Sequence, residues 1–296
     1  MKIYDCFTYF DEKLLLEFRL NYLSNYVDKF VIAEATYTHS GSPKKLNFNI
    51  NNYPKFKDRI IYVPVTQKPK GLHKFNAKNN NKETNTKSII NGYLRENFQR
   101  NQLQKGLQEA NPDDFIIISD LDEIPNLENI NLKDVDKKII IFKQKFLFYK
   151  FNLFYPKKIW HGSRACKKKF LLNPQWLRNV KSKKYSIFRA DIFFSIQKYN
   201  SIFFVEDGGW HFTNLKTAKE IYYKFTNYLH HREFEHSNLR IRDIDNMIKK
   251  NISIYNHEVD KSENKFNGKI KLARLSNKYL PNFLLDNLNL YKKWLS

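Results

Sequence analysis

The sequence predicts an α/β domain built on a mainly parallel β-sheet that is flanked by helices. Over roughly the first 120 residues, short apolar runs alternate with segments of helical spacing, an order typical of such a sheet. Acidic residues stand where two of these runs end. Since open parallel sheets bind ligands at the carboxyl ends of their strands, the same pattern predicts where a site would lie.

The first half of the chain supplies four strand candidates with helices between them. The expected strands cover residues 2–9, 30–33, 60–65 and 115–118. Apolar residues at helical spacing predict a first helix that opens at Asp11 and Glu12, and a second helical pattern covers residues 88–110. Residues 68–87, which precede the second helix, are polar and predict a mobile loop.

The second half is less regular, and it shows neither an internal repeat nor a clean linker. Its strand candidates are residues 139–142, 146–154 and 202–205, and its helical patterns cover 217–234, 240–251 and the tail 284–294. Residues 164–184 form the most basic block. We interpret that block as mainly solvated lysines, with an anionic acceptor or a membrane surface as the alternative partner.

Composition is that of a folded protein, with 42% hydrophobic and 16% aromatic residues in 296. No apolar run approaches the roughly 20 residues that span a bilayer, and charges from Asp11 onward interrupt any signal-peptide pattern. Cys6 and Cys166 have neither metal-site spacing nor a disulfide pattern. We therefore expect a cytoplasmic protein, with peripheral contact to an anionic membrane as an option.

The formal net charge of +22 would attract nucleic acid, anionic lipid or phosphorylated substrates alike. No helix-turn-helix, zinc-finger or RNA-recognition signature accompanies it. We expect no specific nucleic-acid partner, although a basic nucleic-acid-binding protein stays open as an alternative function.

The most informative stretch is the acidic segment that ends the fourth strand. Asp120 and Asp122 follow an apolar run, and in an extended chain they would lie on the same side of the backbone. Two adjacent carboxylates repel each other unless a cation lies between them, and a divalent ion that also binds phosphates is a natural occupant. The alternative is a solvated acidic turn.

A second segment joins two glycines to Trp210 and His211 directly after the strand candidate at 202–205. His211 is a candidate metal ligand or diphosphate contact, and the alternative is a core histidine. Gly209 would allow a ligand to approach the backbone closely, although a pair of glycines is often only a turn. Together with the acidic pair, this segment predicts a site for a nucleotide diphosphate, in which a metal would stabilise the leaving group.

These motifs and their order make the chain resemble glycosyltransferase family 17. The resemblance rests on Asp-Leu-Asp-Glu-Ile-Pro at 120–125, on Gly-Gly-Trp-His-Phe at 208–212, and on shorter segments at 5–7, 14–20, 27–34, 96–101 and 112–114. It implies a GT-A-like fold, a UDP-sugar donor that is most often UDP-N-acetylglucosamine, a divalent ion such as Mn²⁺ (with Mg²⁺ as an option), and inversion at the anomeric carbon.

The resemblance covers roughly residues 1–235. We predict one GT-A-like domain there, with a donor half to about residue 130 and an acceptor half from 131 to 235. Residues 236–296 would form a C-terminal helical extension packed on the same domain. The acceptor would be a glycan, glycolipid or glycoprotein. A metal-dependent nucleotidyltransferase or phosphoesterase is a further alternative, because these enzymes also use paired carboxylates.

By analogy with other Asp-x-Asp enzymes, Asp122 would bind the metal directly, and Asp120 would reach the ribose or the metal through water. Glu123 would support these ligands. Glu34 would touch the nucleoside or be a plain surface acid. Arg100 would bind the diphosphate or form a helix ion pair with Glu96, four residues earlier.

An inverting transfer needs a general base that takes the proton of the attacking hydroxyl. Asp207 and Glu206, just before the two glycines, are the candidates, and a solvated strand end is the alternative. Trp160 and Trp210 would offer flat faces on which a sugar ring can stack, or would belong to the core.

Overall fold

The computed structural model describes residues 1–76, 82–186, 191, 194–228, 231–257, 266 and 270–296. It shows a mixed α/β architecture with one large curled sheet. The strands are β1 (Ile3–Tyr9), β2 (Lys29–Ala35), β3 (Ile60–Val65), β4 (Phe115–Asp120), β5 (Glu123–Pro125), β6 (Ile139–Phe148), β7 (Leu153–Lys167), β8 (Ile202–Val205), β9 (Gly209–Thr213) and β10 (Ala273–Arg274).

The sheet runs in the order β3-β2-β1-β4-β7-β6-β9-β5, with β8 beside β6 and β10 beside β7. Strands β1 to β4 pair in parallel, whereas β7 is antiparallel to both β4 and β6. Strands β8 and β9 return parallel to β6. The predicted mixed, GT-A-like fold class is confirmed, and its parallel part lies where the alternating pattern of the sequence placed it.

Helices flank this sheet and close its ends. They are α1 (Lys13–Leu23), α2 (Lys82–Gln102), α3 (Pro174–Asn179), α4 (Ala218–Asn227), α5 (His231–His236), α6 (Ile241–Lys249), α7 (Asn282–Asp286) and α8 (Leu288–Tyr291). Among the described residues, no helix is long and apolar enough to cross a membrane.

Several predicted ends of helices and strands were wrong. The residue pattern within one segment does not show where tertiary contacts lengthen or interrupt a helix or strand. Helix α2 begins at Lys82, inside the predicted loop 68–87, of which residues 77–81 lie outside the described part. The strand predicted at 146–154 belongs instead to β6 and β7, which a short turn separates. The helix predicted at 217–234 is divided into α4 and α5.

The C-terminal segment packs on the main core of the sheet. Leu284 of α7 is fully buried, and the ring of Tyr291 in α8 lies 5.5 Å from that of Phe18 in α1 and 5.3 Å from that of Phe151. The predicted amphipathic tail is thus two short helices that cover an aromatic cluster. The division of the chain near residues 130 and 235 stays a prediction.

The two sequence motifs meet because β5 and β9 are neighbouring strands. Glu123 pairs with His211, Ile124 with Trp210 and Pro125 with Gly209. Gly209 has a φ of +120°, and a Cβ atom there would lie 2.1 Å from the carbonyl oxygen of Ile124. This close approach requires glycine. It brings residues 120–123, which we call the acidic turn, beside His211.

Candidate active site

A cavity of about 470 Å³ opens at the carboxyl ends of β1, β2 and β4. Of the residues predicted from the sequence, Arg100, Asp120, Asp122 and His211 line it. The volume is that of a site for a small organic ligand. The edge of the sheet that the strand pattern indicated is therefore where a ligand can enter.

The backbone of the acidic turn is held from inside the protein by Arg19 of α1. This side chain is fully buried and forms a two-point ion pair with Asp5 of β1, at 2.6 and 2.7 Å. Its remaining terminal nitrogen, Nη1, donates to the carbonyl oxygens of Asp120, Leu121 and Glu123, at 3.2, 3.1 and 2.7 Å. The position of the turn is thus fixed by the core before any ligand arrives.

Asp120 is bound by two arginines, one on each carboxylate oxygen. Arg100 Nη2 donates to Oδ1 at 2.8 Å, and Arg178 Nη2 donates to Oδ2 at 3.1 Å. Burial alone would raise the pKa of Asp120, but Arg178 and Arg100 outweigh it and hold that pKa well below its usual range. Arg100 also pairs with Glu96 at 2.7 Å, which is the helix ion pair that the sequence offered as one reading. Arg100 lines the cavity, and its contact with a diphosphate stays a prediction.

Glu123 holds the turn through buried hydrogen bonds, and its support of metal ligands stays a prediction. Its carboxylate is fully buried and accepts hydrogen bonds from the backbone N–H of Asp120 at 3.0 Å and from Trp160 Nε1 at 2.7 Å. Arg178 donates to both of its oxygens, at 2.7 and 2.9 Å. Glu123 and Arg178 therefore fix Asp120 relative to β7, the strand that carries Trp160.

Asp122 faces a different set of groups. Its Oδ1 lies 3.4 Å from His211 Nε2, and its Oδ2 lies 3.6 Å from Lys224 Nζ on α4. Burial raises the pKa of Asp122, but His211 and Lys224 lower it by more, so this carboxyl is ionised at neutral pH. All three side chains line the cavity.

The residues around Asp122 fit a divalent ion. A carboxylate oxygen and an imidazole nitrogen 3.4 Å apart, both facing a cavity, can share one cation. Within the described residues no cluster of three or more His, Cys, Asp or Glu side chains forms a closed metal site. An ion held by two protein ligands would complete its shell with water and phosphate oxygens, which is usual for a cation that binds together with a nucleotide.

Asp120 is arranged differently from Asp122. Both of its oxygens receive arginine hydrogen bonds, so Asp120 binds and orients two guanidinium groups, and its contact with a ribose or a metal stays a prediction. The difference follows from Arg178, which reaches the turn from another part of the chain.

The predicted general bases lie elsewhere. Asp207 and Glu206 form surface ion pairs with Lys145 and Lys143, and their side chains are 74% and 70% exposed. Neither lines the cavity. This prediction was wrong because the turn before β9 directs Glu206 and Asp207 to the solvent, although they are close to His211 in sequence.

Three further predicted ligand contacts are structural. Trp210 is a core residue whose indole donates to the carbonyl oxygen of Tyr279 at 2.7 Å, and Gly209 packs against β5. Glu34 is fully buried, and its carboxylate accepts hydrogen bonds from Lys44 Nζ, Tyr62 Oη and two backbone N–H groups. None of the three lines the cavity, whereas Lys44, the partner of Glu34, does.

Sequence reasoning missed two cations, Arg178 and Lys224, and all but Trp160 of the aromatic wall of the cavity, which Phe148, Trp160 and Tyr255 form. Arg178 lay in the block interpreted as solvated lysines, where its one distinguishing signal was being an arginine next to Trp176 and Leu177, both buried. Lys224 had no signal in the sequence. Trp160, which was named as a possible sugar platform, lines the cavity, and His257 does so from a segment for which no role was predicted.

Comparison with known proteins identifies the family of the chain. The sequence profile described as glycosyltransferase family 17 matches residues 1–296. The chain belongs to glycosyltransferase family 17. The chain is similar to the β-1,4-mannosyl-glycoprotein 4-β-N-acetylglucosaminyltransferases of Homo sapiens and Rattus norvegicus. Each is 28% identical over 120 residues, which is 39% of this chain and 20% of the relative.

Four of the short segments that carry the family resemblance meet at the acidic turn. Asp5 and Arg19 hold the turn, Arg100 binds its first acid, and His211 faces its second. In this member of family 17, these four segments therefore hold or flank the acidic turn at one cavity, whereas the aromatic side chains Phe148, Trp160 and Tyr255 of that cavity come from the rest of the chain. The chain spans only about a fifth of the length of the curated relatives it matches.

Proposed function

We propose that this protein is a metal-dependent, inverting glycosyltransferase. It would transfer N-acetylglucosamine from a UDP-sugar to a hydroxyl group of a glycan, glycolipid or glycoprotein acceptor. The observation that carries the proposal is the Asp122–His211 pair, which faces a cavity at the carboxyl ends of parallel strands in a chain of family 17. The curated relatives, named as N-acetylglucosaminyltransferases, support the choice of sugar.

The donor nucleoside would occupy the side of the cavity next to β2. Residues after that strand, among them Thr38 and His39, line the cavity there, and Gln99 of α2 links His39 to the backbone of β2. These polar groups can hydrogen-bond a base or a ribose. Open α/β sheets bind nucleotides at this kind of position.

The donor diphosphate would lie over the acidic turn. A divalent ion held by Asp122 and His211 would act as a Lewis acid that stabilises charge on the leaving nucleotide. The chain itself contributes a fixed acidic turn. Arg19 donates hydrogen bonds to its carbonyl oxygens, and Glu123 accepts one from the backbone N–H of Asp120. Such preorganisation favours catalysis because the protein need not rearrange as charge develops.

The acceptor would enter along the aromatic wall. Trp160, Phe148 and Tyr255 line that part of the cavity, and aromatic faces of this kind pack well against the apolar face of a sugar ring. His257 lies among them, with its ring 4.8 Å from Phe146, a residue that also stacks on His211 at 4.9 Å. In place of Asp207, we assign to His257 the role of general base for the acceptor hydroxyl.

Calorimetric titration with UDP and Mn²⁺ tests the donor site. Asp122→Ala should abolish Mn²⁺-dependent binding of UDP and transfer from UDP-N-acetylglucosamine while the protein stays folded. Asp136→Ala, which removes a carboxylate that is 82% exposed and remote from the cavity, should behave as the parent protein. Full transfer by the Asp122 variant would overturn the site, and hydrolysis of phosphodiesters in place of transfer would favour a phosphoesterase.

The base is tested separately. His257→Ala should lose roughly 10²–10⁴-fold in kcat, the usual contribution of a general base, with UDP binding unchanged. Added imidazole should restore part of the rate. An unchanged kcat would remove His257 from the mechanism without affecting the donor site.

A further inference from the structure

We infer that Lys224 binds the donor diphosphate and that, before the donor arrives, the same ammonium competes with the divalent ion for Asp122. This inference rests on the proposed function, because it concerns the UDP-sugar site. It adds a residue that neither the sequence motifs nor the family resemblance indicated.

The position of Lys224 is set by a rigid helix. Helix α4 begins with a capping box, in which Thr217 and Glu220 bind each other's backbone N–H groups. On its inner face Ile221 and Phe225 are buried in an aromatic cluster. Lys224 therefore projects from a fixed backbone into the cavity, and its side chain is 23% exposed.

The contact between Lys224 and Asp122 is an ion pair with room for another partner. The separation of 3.6 Å exceeds the roughly 2.7–2.9 Å of a charged hydrogen bond. An ammonium carries three donors, and in the described part of the chain Asp122 is the one carboxylate within salt-bridge distance of it. At least two donors are thus available to an anion in the cavity.

Electrostatic repulsion determines which anion the Lys224 ammonium contacts once a divalent ion has bound. A divalent ion shared by Asp122 and His211 would stand close to the Lys224 ammonium, and like charges so near one another repel strongly. The ammonium would then lose its partner and need another anion. A diphosphate brought over the acidic turn supplies that anion, so the ammonium moves from a carboxylate to a phosphate oxygen.

The Lys224 ammonium lies 3.6 Å from the carboxylate of Asp122 and lines the same cavity, so it is already close to the place that the diphosphate would take. In the transfer step the ammonium would also stabilise the negative charge that develops on the leaving nucleotide, as preorganised cations do. Lys224 is then a binding and catalytic residue, since it touches the group that leaves.

Binding of the diphosphate and competition with the divalent ion predict opposite effects of Lys224→Met on the affinities for UDP and for Mn²⁺. A lysine with only a structural role would not show this difference. In Lys224→Met, UDP in saturating Mn²⁺ should bind about 10- to 100-fold more weakly, since a charged hydrogen bond is lost. Mn²⁺ without nucleotide, measured by electron paramagnetic resonance, should bind several-fold more tightly, because a competing cation is gone. Lys224→Arg should keep much of the affinity for UDP.

Lys219→Met is the matched control, since Lys219 lies on the same helix with its side chain exposed. It should change neither affinity. If the parent protein fails to bind UDP, the proposed function fails and this inference with it. If the parent protein binds UDP but Lys224→Met binds UDP and Mn²⁺ like the control, Lys224 is excluded and the donor site stands. A folded Lys224→Met that binds both ligands more weakly would likewise overturn the competition.

Discussion

Arg19 shows how a single buried side chain can specify a site. Its guanidinium uses one side for the carboxylate of Asp5 and the other for three carbonyl oxygens of the acidic turn. A lysine could not replace it, because a point charge lacks the planar fork that spans both partners. The site therefore depends on a residue that no ligand touches.

Replacing Arg19 by methionine should cost about 3–5 kcal/mol in the free energy of unfolding, because Asp5 would stay buried without its partner. Urea denaturation followed by fluorescence measures this loss. Arg274→Met, at an exposed position on β10, should stay within about 0.5 kcal/mol of the parent protein. Equal effects of the two substitutions would refute the structural role of Arg19.

Asp120 gives a prediction about pH. Its pKa is lowered in the folded protein, so its ionised form stabilises the fold above the ordinary carboxyl pKa of about 3.9 and this contribution is lost as the pH falls. Between pH 7 and about pH 5, the difference in unfolding free energy between the parent protein and Asp120→Asn should be constant. Below about pH 4 the difference should shrink. A difference that grows on acidification would contradict the assigned pKa shift.

At the scale of elements, the pairing of β5 with β9 brings the two motifs together. Each strand is short, and the register places Glu123 opposite His211. A slip of one residue would turn His211 to the other face of the sheet and away from Asp122. The geometry of the proposed metal pair is thus a property of strand register.

Gly209→Ala should disturb that register. The new Cβ would meet the Ile124 carbonyl at 2.1 Å on a backbone with φ of +120°, whereas at Gly71, with φ of +77°, nothing lies within 4 Å. Both alanines incur backbone strain, but only the first also incurs a clash. We expect Gly209→Ala to be the more destabilising by about 2 kcal/mol or more and to weaken Mn²⁺ binding. Indistinguishable thermal unfolding of the two variants would refute the close approach.

Elements also show where prediction from sequence reached its limit. The strands of the first half could be predicted, because each is a local run of apolar residues. Their parallel order could be predicted from the helical patterns between these runs. The acidic turn and His211 could be assigned to one cavity because each ends or follows a strand. Arg178 and Lys224 could not, because they approach from helices α3 and α4 and only tertiary packing brings their charges to the turn. Asp207 failed for the converse reason, since a neighbour in sequence turned out to face solvent.

At the scale of the molecule, the C-terminal helices belong to the same core as α1. Leu284 is fully buried there, while Leu290, a few residues later, is 73% exposed. Leu284→Ala should therefore lower the unfolding free energy of the whole chain by about 2–5 kcal/mol, and Leu290→Ala by much less. Calorimetry should show one transition shifted as a unit. An early, separate transition in Leu284→Ala would show that the tail unfolds independently.

The buried contact of Arg19 also bears on how the protein is made. During synthesis, β1 and α1 leave the ribosome before the acidic turn does, and Asp5 can meet Arg19 at once. The carbonyl oxygens of residues 120, 121 and 123 follow only about a hundred residues later. Until then Nη1 of Arg19 lacks its backbone acceptors. Burying this charged group without them would cost free energy, so α1 is not expected to pack firmly at that stage. The acidic turn thus completes the set of partners of the buried guanidinium, and we expect β1 and α1 to pack stably only after residues 120–123 have been made.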